Sequence, residues 1–83
     1  MENINTILEK INVRREEISW NDTKKMHYRN DIKELCVEVV ATPEDMEPHI
    51  LAREIKKLEQ KINEKEQENI RLQGEIRTLK ELL

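Results

Sequence analysis

The sequence contains no Phe, one Trp, one Tyr and one Gly, and aromatic residues make up 2% of its 83 residues. Aromatic side chains supply much of the area of a compact core, so their scarcity argues against an ordinary globular domain. A chain of this length also buries little apolar surface alone and often depends on a partner chain. Charged residues reach 40%, a composition typical of long helices.

Cysteine and long apolar stretches are also scarce. The single cysteine, Cys36, excludes an internal disulfide framework and is typical of a reducing compartment. No apolar run approaches the roughly 18 residues that a membrane span needs, and residues 1–10 lack the pattern of a secretory signal. The net charge of −3 does not indicate a polyanion-binding protein. These observations predict a cytoplasmic protein with no membrane partner.

The residue patterns of common catalytic and metal sites are missing as well. There is no Gly-rich phosphate loop, no HExxH and no Ser–His–acid spacing. His27 and His49 lie far apart, with Cys36 between them, and none of the three belongs to the close pair that metal ligands usually form. We therefore expect no enzymatic activity, no cofactor and no metal site. We also expect Cys36 to pack on an apolar helix face rather than to act as a nucleophile.

The last 33 residues of the chain hold a regular aliphatic pattern. Ten positions from Leu51 to Leu83 follow one another at intervals of three and four, and eight of them are Ile or Leu. This heptad pattern predicts a long helix wound around a partner helix in a coiled coil. The predicted dimer interface consists of Leu51, Ile55, Leu58, Ile62, Lys65, Asn69, Leu72, Ile76, Leu79 and Leu83.

The stretch ENIRLQGEIRTLKELL places Asn69 at a central heptad position, followed by Leu72, Ile76 and Leu79. In these residues, the segment 51–83 resembles the leucine zippers of the bZIP transcription factors. The resemblance implies a dimeric coiled coil, and a buried Asn at such a position favours two strands. The basic region that precedes the zipper in that family has no counterpart, because the acidic stretch TPEDMEP occupies its place.

Charge pairing favours a parallel arrangement of the two predicted strands. In a parallel dimer, Lys61 pairs with Glu66 of the second copy and Glu75 pairs with its Lys80. An antiparallel arrangement also fits the core, and it stays open as the alternative. A polar residue at position 69 of the interface fixes the register of the two strands but lowers the stability of the dimer. We therefore expect replacement of Asn69 by Leu to raise thermal stability.

Residues 1–42 carry shorter apolar patterns, which predict two helices. The first runs over about 4–18, with Arg15 interrupting its apolar face. WNDTKK then predicts a break, because Asn21 or Asp22 suits the N-cap of a second helix, and this places Trp20 at the turn. The apolar face of the first helix consists of Ile4, Ile7, Leu8, Ile11 and Ile18.

The boundary between the two halves of the chain is predicted near residue 43. CVEVVA is rich in β-branched residues, so a short strand over 36–41 stays open beside the helix. ATPED predicts a helix start, but Pro48 follows closely, which indicates a short separate turn at 43–47 and a long helix that begins near Pro48.

Basic side chains between residues 14 and 29 form the best remaining candidate for a binding site. Residues 1–42 hold seven basic and eight acidic side chains, so local acids nearly cancel this patch. No helix-turn-helix spacing accompanies it. The candidate contacts for a partner or for phosphates are Arg14, Arg15, Trp20, Lys24, Lys25 and Arg29.

Together these patterns predict an all-α fold with an N-terminal helical hairpin over 1–42, followed by a long C-terminal helix. That helix, within 43–83, forms a parallel two-stranded coiled coil. The predicted function is that of a non-enzymatic homodimeric adaptor, scaffold or regulatory protein that presents its helical head to a protein partner. One alternative is a dimeric transcriptional regulator that contacts nucleic acid through the basic patch. Another is a helical subunit of a complex whose coiled-coil partner is a different chain.

Overall fold

The computed structural model describes residues 3–41 and 48–83, and it confirms the all-α class. Helix α1 spans Ile4–Ala41 and helix α2 spans Pro48–Glu81. The two helices pack against each other as a hairpin.

The helices of the hairpin run antiparallel. Contacts join Asn21 to Asn69 and Arg29 to Glu66, so residue numbers rise along α1 while they fall along α2. The result is a thin rod with extents of 64 × 16 × 11 Å. A rod that is two helices wide has no closed core, because each helix covers the other on one side only.

Both helices begin at residues suited to helix N-termini. The Oδ1 of Asn3 accepts hydrogen bonds from the backbone N–H and the Oγ1 of Thr6, at 2.8 and 3.1 Å, and so caps α1. Helix α2 begins at Pro48, as predicted, where the missing N–H is harmless. At its end, Leu82 and Leu83 donate i→i−3 hydrogen bonds at 3.1 and 3.0 Å, which tighten the last turn.

The helix break predicted at WNDTKK is wrong, because α1 runs through this stretch without interruption. No Pro or Gly lies within α1. Asn21 caps nothing, since its side chain is buried against α2. The Oγ1 of Thr23 donates to the carbonyl of Ser19 at 3.1 Å, one turn back along the same helix.

The position of the hairpin therefore differs from the prediction. It joins the two long helices, whereas the sequence predicted a hairpin within residues 1–42. Residues 36–41, left open between helix and strand, belong to α1 and are helical. The short turn predicted at 43–47 lies outside the described residues.

One row of side chains on each helix faces the other helix, and we call the two rows together the seam. Seam residues recur at alternating intervals of three and four, and all of them are buried or half-buried. Helix α1 contributes Ile7, Ile11, Arg14, Ile18, Asn21, Lys25, Tyr28, Ile32 and Leu35. Helix α2 contributes Leu51, Ile55, Leu58, Ile62, Lys65, Asn69, Leu72, Ile76 and Leu79.

The aliphatic stripe of α2, predicted to contact a second copy, packs on α1 of the same chain. Nine of the ten predicted interface residues lie on the seam, and the tenth, Leu83, is exposed. This antiparallel pairing within one chain replaces the predicted parallel pairing. The physical reason is that α1 carries a matching row, and a helix tethered nearby has a high effective concentration.

Burial along the seam is uneven. The buried apolar residues Ile7, Ile11, Leu72 and Ile76 all lie in the half of the hairpin that holds the chain termini. Ile18 and Leu79 are partly buried and pack against Ile7, Ile11 and Ile76. In the other half, near the connection between the helices, the apolar seam residues are only half-buried. They are Tyr28, Ile32, Leu35, Leu51, Ile55, Leu58 and Ile62.

Candidate functional site

A buried polar layer crosses the middle of the hairpin. Asn21 and Asn69 are 2% and 7% exposed, and the Nδ2 of Asn21 donates to the Oδ1 of Asn69 at 2.9 Å. The Nδ2 of Asn69 donates in turn to the Oδ1 of Asp22 at 3.0 Å. Lys25 forms an ion pair with the same oxygen at 3.3 Å. The layer fixes the register of the two helices, because a one-residue slip would separate these buried partners.

A second polar contact joins the helices near their termini. The Nε of Arg14 lies 3.6 Å from Glu75, which also holds the guanidinium of Arg71 at 3.2 and 3.3 Å. The Arg14 Nε is buried and has no hydrogen-bond partner, since 3.6 Å exceeds hydrogen-bond length. The Nη1 of Arg14 donates to the carbonyl of Lys10 at 3.0 Å. Arg14, rather than the predicted Arg15, therefore interrupts the apolar row of α1.

The structure does not gather the predicted basic patch on one surface. Arg14 and Lys25 lie on the seam, and Arg29 pairs with Glu66 across the hairpin at 3.5 Å. On a helix that turns about 100° per residue, Lys24 lies about 180° from Arg15 and about 140° from Arg29. A continuous phosphate-binding surface built from these residues has no geometric support.

Trp20 lies in the middle of α1, not at the predicted turn, and it is 56% exposed. Two ammonium groups lie over its ring: Lys24 Nζ is 4.9 Å from the centroid and Lys65 Nζ is 5.2 Å from it. Lys61 Nζ lies 5.7 Å from the ring centroid of Tyr28. The only Trp and the only Tyr of the chain thus share one side of the hairpin, and each contacts a lysine from α2.

We call this group the lysine–aromatic strip, and it consists of Trp20, Lys24, Tyr28, Lys61 and Lys65. Sequence reasoning named Trp20 and Lys24 as candidate contacts but missed the other members as part of a surface. A signal for the strip was present, because Trp20, Lys24 and Tyr28 follow one another at intervals of four, as do Lys61 and Lys65. Their meeting across the hairpin depends on the antiparallel register, which the sequence did not reveal.

Other candidate chemistry is limited in the described parts of the chain. Among residues 3–41 and 48–83, no group of three or more His, Cys, Asp or Glu side chains is placed to hold a metal ion. Cys36 is exposed, so the prediction that it packs on an apolar face is wrong. Neither described helix combines the length and the apolarity that crossing a bilayer requires.

Comparisons with known proteins identify no family for this chain. No protein-family model matches the sequence, and searches of curated proteins and of solved structures found no match.

Proposed function

We propose that the protein is a non-enzymatic interaction protein that acts as a homodimer. Two hairpins pack together as a four-helix bundle of coiled-coil type, and the paired hairpins present their outer surfaces to a protein partner. In such a bundle each helix contacts two neighbours, so an apolar row that one neighbour leaves half-covered becomes fully buried.

The single observation that carries this proposal is the half-covered seam near the helix connection. Seven apolar seam residues, from Tyr28 to Leu35 on α1 and from Leu51 to Ile62 on α2, keep contact with solvent. Each Å² of apolar surface removed from water stabilises the buried state by about 25 cal/mol. Burial of these residues under a second hairpin would therefore stabilise the dimer.

The size of the chain supports the same proposal. The hairpin exposes 6608 Å² of surface. A stable interface takes about 800 Å² from each partner, which is about an eighth of that area. A two-helix rod of this length has room for such an interface on one side and leaves the other side free.

A second copy is a sufficient partner, although a different chain with a similar stripe also fits the seam. The homodimer is the simpler proposal because a second copy carries the same half-covered seam. Two copies hold two identical outer surfaces at a fixed separation, which raises the apparent affinity for a partner that has two sites.

The nucleic-acid alternative has less support. Arg14, Lys25 and Arg29 each lie close to a carboxylate of the same chain, at 3.6, 3.3 and 3.5 Å. A phosphate backbone would have to displace these carboxylates, and binding would therefore cost part of the energy that the contacts provide.

Sedimentation equilibrium of the full chain tests the proposal. Between about 1 and 100 µM we expect a mass that rises toward twice the 10.0 kDa of one chain, together with a melting temperature that rises with concentration. A fully helical monomer at the highest concentration would contradict the homodimer. A chain that folds only with a different protein would favour the heteromeric subunit instead.

A pair of variants locates the interface. Leu58→Ala removes a half-buried seam side chain, and we expect it to weaken association about tenfold or more. Val37→Ala removes an exposed side chain from α1 in the same half of the hairpin, and we expect it to leave association unchanged. Circular dichroism of both variants must show retained helix, so that a loss of association is not a loss of folding.

A further inference from the structure

We propose that the lysine–aromatic strip is a docking site for an acidic helical segment of a partner protein. The inference rests on the proposed function, because it names the surface that the protein presents and the chemistry of the partner. It goes beyond the dimer, since Trp20, Lys24 and Lys61 lie outside the seam that the second copy covers.

Unbalanced positive charge is the first argument for an acidic partner. Within residues 3–41 and 48–83, neither Lys24 nor Lys61 forms an ion pair, and Lys65 has only Glu68, at 3.7 Å. Arg14 and Arg29, which bridge the helices elsewhere, each lie close to a carboxylate of the other helix. The strip is thus a local concentration of positive charge on a chain whose net charge is −3.

Preorganisation is the second argument. Contacts of 4.9–5.7 Å with the faces of Trp20 and Tyr28 hold the three ammonium groups near the hairpin. Free lysine side chains lose considerable rotational entropy when they bind, and part of that loss has already occurred here. A carboxylate of the partner would therefore meet lysines that are already partly ordered.

The spacing of the strip selects a helical partner. Lys61 and Lys65 are one helical turn apart, about 6 Å along α2. Carboxylates four residues apart on a partner helix have the same spacing. Trp20, which is 56% exposed, offers an apolar contact beside the charges. These features fit an amphipathic helix with acidic residues at every fourth position and an apolar residue next to them.

The same geometry disfavours single-stranded nucleic acid as the occupant. Bases bind aromatic side chains by stacking on an open ring face. Here lysine ammonium groups lie over the rings of Trp20 and Tyr28.

Intrinsic fluorescence gives a direct test, because Trp20 is the only Trp in the chain. The full chain is titrated at low salt with a synthetic helical peptide that carries Glu at every fourth position and contains no Trp. A parallel titration uses an oligothymidylate of similar charge. The strip variant is Lys24→Gln/Lys61→Gln, which changes two lysines outside the seam. The control is Lys33→Gln/Lys56→Gln, which removes the same charge from exposed positions about 180° from Lys24 and 140° from Lys61.

We expect the peptide to shift Trp20 emission and the strip variant to raise its Kd roughly fivefold to twentyfold, while the control changes Kd less than twofold. Absence of peptide binding, or an equal loss in both variants, would overturn the inference. Tighter binding of oligothymidylate that depends on Lys24 and Lys61 would assign the strip to nucleic acid.

Sedimentation of the same samples separates this inference from the proposed dimer. If the chain dimerises but does not bind the acidic peptide, only the docking site is contradicted. If the chain is a monomer that binds the peptide, only the homodimer is contradicted. If the strip variant abolishes association while the control does not, the strip is a contact between copies and the docking site is wrong.

Discussion

Asn21 on α1 donates a hydrogen bond of 2.9 Å to Asn69 on α2, and both side chains are almost fully buried. This contact joins two residues separated by 48 positions in the chain. Asn69 is therefore paired with Asn21 of the same chain, whereas a parallel dimer would place it against Asn69 of the second copy. The difference reverses an expectation that the sequence alone supports.

Replacement of Asn69 by Leu should lower stability rather than raise it. The change leaves the buried amide of Asn21 without its acceptor and removes the hydrogen bond to Asp22, a loss of about 1–3 kcal/mol. For a chain of this size that corresponds to a fall in Tm of roughly 4–8 °C per kcal/mol, measured by circular dichroism at fixed protein concentration.

The double variant Asn21→Leu/Asn69→Leu is the control for this prediction. It removes both buried polar groups, so we expect a stability equal to or above that of the wild type. A single Asn69→Leu variant that melts above the wild type would show that Asn21 finds another partner or that the register is wrong.

Replacement of Arg14 by Leu should be neutral or should stabilise the hairpin by up to about 1 kcal/mol. Arg14 lies on the seam between Ile11 and Ile18, and its Nε lacks a hydrogen-bond partner. Its ion pair with Glu75 is partly solvated and contributes little. Urea unfolding followed by circular dichroism measures the change.

Arg15→Leu is the matched control for Arg14→Leu, because it makes the same substitution at an exposed neighbouring position. We expect a change within about 0.5 kcal/mol there. If Arg14→Leu destabilises the chain by more than about 1 kcal/mol, the contact with Glu75 is stronger than its geometry indicates.

The part of the fold that the sequence predicted is the part where apolar residues fill the heptad positions. Helix α2 has Ile or Leu at most of them, and its predicted start near Pro48 is confirmed. In α1 the same spacing is interrupted by Arg14, Asn21 and Lys25, and these polar seam residues make the sequence predict a helix end that the structure does not have. The intervals of three and four continue across these residues, and that continuity is the sequence signal for one long helix.

The sequence pattern does not show which helix covers the aliphatic stripe of α2. An amphipathic stripe specifies that a helix must cover it, but not whether that helix belongs to the same chain. For the same reason, the meeting of Trp20 with Lys65 was not predictable, because it follows from the antiparallel register that the Asn21–Asn69 layer fixes.

Cys36 should react rapidly with a thiol reagent in the folded protein. The side chain is exposed near the end of α1, so folding does not shield its sulfur. We expect reaction with an aromatic disulfide reagent at micromolar protein concentration to proceed within about threefold of the rate in urea. Strong protection in the folded state would place Cys36 in an interface, and a protection that grows with protein concentration would identify that interface as the contact between copies.

Replacement of Gly74 by Ala should stabilise the protein by about 0.5–1 kcal/mol, because Gly in a helix interior costs about that much relative to Ala. Gly74 lies within α2, and a Cβ built there meets nothing within 4 Å. Its carbonyl accepts a hydrogen bond from Thr78 Oγ1 at 3.1 Å, which the substitution leaves in place. Thermal melts at two protein concentrations measure the change. An increase in Tm at both concentrations indicates that this outer face of α2 is free in solution. If Ala lowers Tm at the higher concentration only, a second helix approaches Gly74 closely, and the contact between copies lies on this face rather than along the half-covered seam.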